Sequence, residues 1–458
     1  MKKGGISLKK NDEIELDIID NGINLEGIAR EDNKVIFVPG AIKGEKVLVK
    51  IIKENSSYCI GKIENIIKKS KDRQEPFCSV YKRCGGCSGQ HISYQRQLEI
   101  KKEIVKNTLS KQKVEYKSLD NVIGMGIPVN YRNKAQYPVR KTVDGKSKIG
   151  FYAKRSHVIV ENEECLIQNE EIDKLSKEIF KILLLKGFSG YDEQTGNGDI
   201  RHILIRRGYH TSEIMVVIVV NNKDIFEDVR MEEIVNILKD NDSIKTIVLN
   251  LNSSKTNEIL GKEEKIIYGN GYITDYIGNY RYYISSKSFF QVNTVQAEVL
   301  YNVLKEKLNL KGKEVLFDLY SGVGSIGIFL SDSVKLVYGI EIENQAVEMA
   351  NMNLKLNDIN NAEYIAGSVE DKIVEFENRN IKPDVIVVDP PRKGLDLESI
   401  DYIIKFRPKK IGYVSCNPAT FARDLKLLSQ YYAVDTITPV DLFPNSEHIE
   451  CVTVLNLK

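Results

Sequence analysis

From Glu314 onward the chain alternates short apolar runs with helical stretches, and this alternation limits the fold more than any other feature. Glu314 to Leu319 reads as a buried strand, a glycine-rich turn follows, and a helix comes next. Leu336 to Glu341 is the second strand, with a helix over 344–356 behind it; Ala362 to Gly367, Asp384 to Asp389 and Ile411 to Ser415 continue the series. Strands separated by helices pair in parallel through crossovers. The expectation is therefore a doubly wound α/β sheet that binds ligands at the C-terminal ends of its strands.

The earlier part of the chain has a different texture. Between residues 13 and 66, short alternating runs (Ile14, Leu16, Ile18; Val35 to Val38; Val47, Val49, Ile51; Cys59 to Ile66) are separated by turn signals such as Pro39-Gly40, which predicts a small antiparallel β-barrel over 5–66. Residues 67–283 read as a central β-rich region. Lys134 to Val139 and Ile149 to Ala153 flank the turn pair Asp144-Gly145, and His202 to Arg207 pairs with Glu213 to Val220 across Gly208. One amphipathic, basic helix is expected over 91–112, on either the β-rich or the C-terminal domain, and the α/β domain is expected over 284–458.

The net charge of +2 conceals a strong asymmetry, since residues 79–160 carry 17 Lys and Arg against 5 Asp and Glu. Such an excess suits a phosphate-binding face, and a solvated Lys-rich helix would account for it equally well. The apolar runs, such as Ile214 to Val220, fall short of the roughly 18 residues of a membrane span, and the start MKKGGISLKKND has no apolar signal core. A cytoplasmic monomer that does not engage membranes is the expectation. Seven cysteines, an odd number, argue against a disulfide framework. Three of them, Cys78, Cys84 and Cys87, lie within ten residues and with the distant Cys165 could supply four thiolates to zinc or to an iron–sulfur cluster; the spacing does not choose. Cys59 and Cys451 read as packing residues.

In DLYSGVGSIG (318–327) glycines stand at 322, 324 and 327 between a strand and a helix, and Glu341 ends the next strand. This suits either a dinucleotide or S-adenosylmethionine. Asp389-Pro390-Pro391-Arg392 resembles the end of the fourth strand of class I methyltransferases. Cys416, in VSCNPAT, follows the next strand and precedes a helix whose N-terminal dipole can favour a thiolate.

Taken in order, SFFQVN (288–293), DLYSG (318–322), VVDPPRKG (387–394), SCNPAT (415–420) and DLFPNSEHIE (441–450) resemble the motifs of the RNA uracil-5-methyltransferase family. The cysteine spacing and the N-terminal barrel are similar to its iron–sulfur, TRAM-bearing branch, which methylates 23S ribosomal RNA. Two positions depart from the family pattern: Ser321, often cysteine, and Gly412, usually aliphatic. The resemblance implies a TRAM-like, OB-like barrel, a central β-rich domain with a [4Fe–4S] cluster on Cys78, Cys84, Cys87 and Cys165, and a class I, Rossmann-like methyltransferase domain. It further implies Cys416 as the nucleophile that adds to uracil C6, Glu450 as the base that removes the C5 proton, with Glu447 as competitor, and Gln291, Tyr320, Glu341 and Asp389 as S-adenosylmethionine ligands.

Arg132 and Lys134 are candidate RNA contacts, with Tyr81, Tyr94, Tyr131 and Tyr137 as stacking candidates among the basic residues. His448 is expected to share a strand face with Glu450. Three other readings stand beside this one: a transfer RNA uracil-5-methyltransferase, an adenine-N6 methyltransferase that needs no cysteine, and a non-catalytic RNA-binding iron–sulfur protein.

Overall fold

A computed structural model describes residues 8–458 apart from Asp32, so residues 5–7 of the expected barrel lie outside the described residues. The barrel is a six-stranded sheet in the spatial order Glu13–Asp17, Lys46–Glu54, Tyr58–Lys68, Lys34–Val38, Gly27–Glu31, Asp20–Asn21. It is antiparallel except where Lys34–Val38 runs parallel to Tyr58–Lys68. The segment through Ile18 and Ile19 closes it, since Ile18 N–H donates to Glu45 O on one side and Ile19 N–H to Ile28 O on the other. Alternate residues Leu16, Ile36, Val38, Val47, Val49 and Ile51 fill the interior with Cys59, which is a packing residue as expected.

The central region is not purely β. Six strands, in the order Glu263–Tyr268, Ile244–Leu251, Ile214–Val220, Ile200–Arg207, Lys134–Lys141, Ser147–Ile149, form one sheet, and both expected hairpins lie in it. Two helices missed by the strand reading, Glu170–Leu185 and Val229–Leu238, cover one face. The first has the start signals a helix needs: Asn169 caps it by accepting from the Glu171 and Ile172 N–H groups, and three acidic residues occupy its first turn. The second is the crossover that makes Ile214–Val220 and Ile244–Leu251 parallel.

Ile214 to Val220 is apolar at every position because both faces of this strand are buried. Ile214, Val216, Ile218 and Val220 pack toward the two helices, whereas Met215, Val217 and Val219 join a core that extends into the C-terminal part of the chain. The expected domain boundary at 283/284 falls inside the strand Tyr280–Ser285, whose hairpin with Tyr272–Ile277 buries Ile273, Ile277, Tyr282 and Ile284 in that same C-terminal core.

The C-terminal sheet runs Ala362–Ala366, Leu336–Glu341, Val315–Leu319, Val385–Val388, Lys410–Ser415, Glu450–Leu457, Tyr432–Val434, with Thr438–Val440 paired on Glu450–Leu457. The first five strands are parallel, as the alternation predicts. Glu450–Leu457 is inserted antiparallel beside Lys410–Ser415. This reversal brings its first residue to the end of the sheet where the parallel strands finish.

The helix expected over 91–112 is Tyr94–Lys111, and it packs on the C-terminal domain. Its Val105 and Leu109 share a core with Phe421 and Leu425 of the helix Pro418–Leu428. Its buried stripe also contains Gln97 and Lys101, which are polar because their partners lie across the interface. Lys101 Nζ meets Asp441 Oδ1 at 2.7 Å with both side chains fully buried, so this lysine does not belong to the basic surface.

Candidate active site

At the C-terminal end of Val315–Leu319 the chain turns sharply, with Tyr320 in the left-handed region at φ 62°. The Tyr320 hydroxyl is held by Ser399 Oγ at 2.8 Å and Asp396 Oδ2 at 3.2 Å, which sets the ring beside the turn. Gly322 also has positive φ, and a Cβ there would meet nothing within 4 Å, so the turn leaves open room above it. Gly324 and Gly327 serve packing: a Cβ on Gly324 would come 2.7 Å from the Tyr364 ring, and Gly327 N–H donates to Asp318 at 2.9 Å. Glu341 reaches back to this turn, accepting from Gly322 N–H at 2.9 Å and from Glu343 N–H at 3.1 Å.

The end of the sheet that carries Cys416 is built by strand register. Ser415 pairs with Cys451 across the antiparallel ladder, so Cys416 and Glu450 each lie one residue beyond that last pair, and the Glu450 charge acts on the Cys416 thiol. Asn417 caps the next helix through Ala419 N–H, and its amide donates to Arg392 O at 2.9 Å, tying the cysteine loop to the Asp389-Pro-Pro-Arg loop. Glu450 is 4% exposed, and its carboxyl is pushed well above the ordinary range by burial first and by the Asp389 charge second, against the pull of Arg392. Asp389 is half-buried as a residue, but its carboxyl lies deep and burial lifts it to about 6. The Cys416 thiol is pushed up to about 11 by burial, then by Glu450 and Asp389, with Arg392 opposing. Asp318, fully enclosed, rises to about 7 from burial, with Asp389 and Glu341 adding to it. Two carboxyls, Glu450 and Asp389, thus act on the one Cys416 thiol. Buried Gln291 and the Asp389 carboxyl both act on the Tyr301 hydroxyl.

Arg392 belongs to the VVDPPRKG motif, and the sequence pattern alone assigns it no role. Its Nη2 lies 3.2 Å from His448 Nε2, and its charge acts on both Cys416 and Glu450. His448 precedes the strand that begins at Glu450, so the two do not share a strand face. The loop 441–449 before that strand is anchored to the segment that follows Cys87. Ser88 Oγ donates to Glu447 at 2.6 Å, the Ser88 and Gly89 N–H groups donate to Asn445 O, and Gln97 makes two bonds with Asn445. Burial pushes Glu447 up, but the Ser88 hydroxyl and neighbouring charges outweigh it and hold the carboxyl below its ordinary value. Glu447 is thus committed to Ser88.

Cys78, Cys84, Cys87 and Cys165 line one cavity of about 210 Å³, and all four are free thiols. No group of three or more His, Cys, Asp or Glu that could hold a metal ion is found among the described residues. Three residues of the same cavity wall have a buried polar atom without a partner: Arg132 Nε, Asn162 Oδ1 and Gln168 Oε1.

A groove of about 2280 Å³ runs between the barrel, the cysteine loop and the segment 151–157, and reaches Glu447. Arg30, Lys62, Lys69, Lys111, Lys154 and Arg155 line it. The four stacking tyrosines need correction. Tyr81, Tyr131 and Tyr137 are buried with their hydroxyls bonded to Ser88 O, Pro444 O and Asp173, and the Tyr94 hydroxyl is bonded to Asp441. Phe289, two residues from Gln291, is an exposed aromatic, at 69%. Lys134 keeps some exposure, yet burial, then Arg206 and Arg132, push its ammonium down to about 7.

The sequence profile of tRNA (Uracil-5-)-methyltransferases matches residues 93–458, and that of the TRAM domain matches residues 8–63. An uncharacterized RNA methyltransferase of Clostridium acetobutylicum is 45% identical over 98% of each chain. One from Staphylococcus aureus (strain MSSA476) is 39% identical over 99% of this chain and 100% of its own. Among solved structures, the tRNA (uracil-54, C5)-methyltransferase of Pyrococcus abyssi in complex with S-adenosyl-L-homocysteine superposes with a TM-score of 0.76 at 26% identity, covering 96% of this chain and 99% of that one. With the profile match over residues 93–458 and a relative 45% identical over nearly the whole chain, the chain belongs to the RNA uracil-5-methyltransferase family and is an S-adenosylmethionine-dependent RNA methyltransferase.

Proposed function

We propose that the enzyme methylates C5 of a specific uridine in 23S ribosomal RNA through a covalent Cys416–C6 adduct. The observation that carries this is the juxtaposition of Cys416 and Glu450 by the Ser415–Cys451 register. S-adenosylmethionine supplies an electrophilic methyl group on a sulfonium cation. Cys416 Sγ, having given up its proton, adds as thiolate to C6, which makes C5 a carbon nucleophile that takes the methyl group as the neutral thioether S-adenosylhomocysteine leaves. Glu450 then accepts the C5 proton, C5=C6 re-forms, and Sγ leaves as thiolate. The raised basicity of Glu450 suits this role. Glu341 and Tyr320 would bind the ribose and flank the adenosine, and Gln291 and Asp389 would face the methyl end and the base.

The target uridine must leave its helix or lie in a loop for C6 to be reached. Exposed Phe289 offers a stacking face, the basic groove a path for the strand, and Lys134 with the outer nitrogens of Arg132 contacts to its phosphates. The family resemblance assigns a [4Fe–4S] cluster to Cys78, Cys84, Cys87 and Cys165, which line one cavity, and there it would act as a structural tie between the cysteine loop and the central sheet. We take the enzyme to be monomeric and cytoplasmic; no helix among the described residues is long and apolar enough to cross a membrane.

A second reading, with transfer RNA as substrate, is favoured by one observation. The Pyrococcus abyssi enzyme whose name specifies tRNA matches this chain almost end to end, so architecture alone does not separate the two RNAs. Incubation with labelled S-adenosylmethionine and either unmodified 23S rRNA or unmodified tRNA, followed by nuclease mapping, tests the assignment. Label in 5-methyluridine of rRNA is expected, and label in tRNA alone would overturn it.

A further inference from the structure

We infer that His448 is a positioning residue for Arg392: its neutral ring accepts a hydrogen bond from the guanidinium and holds that cation where it acts on the Cys416 thiol, without cancelling its charge. The inference rests on the reading of Cys416 as nucleophile and goes beyond it by giving His448 a part.

Arginine donates through every guanidinium nitrogen and never accepts. Arg392 Nη2 lies 3.2 Å from His448 Nε2, so Nε2 is the bare, accepting nitrogen of a neutral ring and Nδ1 carries the proton. A protonated ring would set N–H against N–H and lose the bond. Burial keeps the ring neutral, pushing the imidazole below its ordinary value against the pull of Glu447, and the charges of Arg392, Lys101 and Arg132 add to the push.

Both partners are fixed from elsewhere. The Phe443 ring meets the imidazole edge-on, with centroids 5.8 Å apart and planes at 80°, and His448 N–H donates to Ser446 Oγ at 3.3 Å. Asn417 Nδ2 and Thr420 Oγ1, from the cysteine loop and the helix after it, donate to Arg392 O. The Arg392 guanidinium forms no ion pair among the described residues, and its hydrogen-bond partner is His448.

The neutrality of that partner has a consequence for the thiol. Glu447 Oε1 stands 3.8 Å from the same Nε2, so a carboxylate is close at hand, and it is bonded to Ser88 instead. Were Arg392 paired with a carboxylate, the two charges would offset each other. It would then no longer oppose Glu450 and Asp389, whose charges raise the Cys416 thiol. Bonded to an uncharged ring, Arg392 keeps its full charge while its direction is set.

The test uses the full chain: wild type, His448→Gln, His448→Leu, Arg392→Gln, and His448→Leu combined with Arg392→Gln. Two readouts need no methyl transfer. The first is nitrogen-15 NMR at pH 8 of protein labelled at its five histidines, with the His448 signals assigned by their loss in His448→Gln. A bare Nε2 and a protonated Nδ1 are expected in the wild type, and a proton on Nε2 would overturn the inference, since Arg392 could not then be its donor. The second is the rate at which iodoacetamide alkylates Cys416 at pH 8, followed by mass spectrometry. His448→Leu should slow it several-fold, as Arg392→Gln does, and His448→Gln, whose amide oxygen can accept in place of Nε2, should recover most of the rate. The double variant should be no slower than either single one. Effects that multiply, or a wild-type rate in folded His448→Leu, would overturn the inference; should that variant fail to fold, the wild-type tautomer decides. Methyl transfer that survives Cys416→Ala would overturn the nucleophile reading instead, and neither readout depends on it.

Discussion

Cys416 and Glu450 lie one step beyond the last register pair of an antiparallel ladder, Ser415 with Cys451, so the relative placement of the proposed nucleophile and base is set by backbone hydrogen bonds. Placing a reactive pair on a strand end and its neighbour gives tighter positioning than two free loops would.

Replacing Cys416 with Ala should abolish methyl transfer, by on the order of 10³-fold or more, while S-adenosylmethionine binding stays within about threefold. Glu450→Gln should stop the reaction later, after addition and methylation. A methylated protein–RNA adduct should accumulate on denaturing gels with Glu450→Gln, and none with Cys416→Ala.

Arg392 opposes the two carboxyls that raise the Cys416 thiol. Arg392→Gln should therefore slow alkylation of Cys416 by iodoacetamide at pH 8 several-fold. In the wild type the alkylation rate should keep rising with pH toward about 11. Bound S-adenosylmethionine, by its sulfonium charge, should shift that profile to lower pH, which mass spectrometry of the Cys416 peptide would follow.

Asp318 and Asp389 have folded-state values of about 7 and about 6, both above the ordinary 3.8. A raised carboxyl favours the folded state most when protonated. Its contribution is complete below the ordinary value and is lost as pH rises through the folded value. The unliganded protein should thus lose stability between about pH 4 and 7 from these groups, and the rise in Tm on adding S-adenosylmethionine should be larger at pH 8 than at pH 5.

Lys101 and Asp441 form a fully buried pair that fixes the active-site loop to the helix Tyr94–Lys111. Removing one partner leaves a buried charge alone, so Asp441→Asn or Lys101→Met should cost about 3–5 kcal/mol in denaturant unfolding. The double replacement Lys101→Met, Asp441→Leu should recover a large part of that loss.

Ser88→Ala removes the bond to Glu447 without touching the nucleophile. A fall in kcat of about three- to thirtyfold at unchanged KM for S-adenosylmethionine is expected if Glu447 positions the loop. An effect equal to that of Glu450→Gln would instead make Glu447 the base.

Local pattern carried much of this into the sequence. The five parallel strands, the barrel and both central hairpins are legible in the sequence because each depends on short-range periodicity. Relationships between distant segments are not. Nothing near Lys101 announces Asp441, 340 residues away, and a lysine in a basic helix looks like surface until its partner is seen. The tyrosines were misread for the same reason, since an aromatic amid lysines does not reveal that its hydroxyl is tied to a backbone carbonyl. Glu170–Leu185 did have a signal, an Asn cap and an acidic first turn, that a strand-oriented reading passed over. Arg392 stood in a quoted motif, and only the approach of His448 and Cys416 gave it a part.

The most direct test of the central claim uses 5-fluorouridine-containing 23S rRNA with S-adenosylmethionine and the folded wild-type enzyme. Fluorine at C5 leaves no proton for Glu450 to remove, so release of Cys416 is blocked. The account predicts a denaturation-resistant adduct whose RNA fragment maps by mass spectrometry to Cys416, absent with Cys416→Ala. With the 5-fluorouridine-containing RNA shown to bind, methylation of the corresponding unmodified RNA at uridine C5 without any adduct in the fluorinated RNA would contradict it.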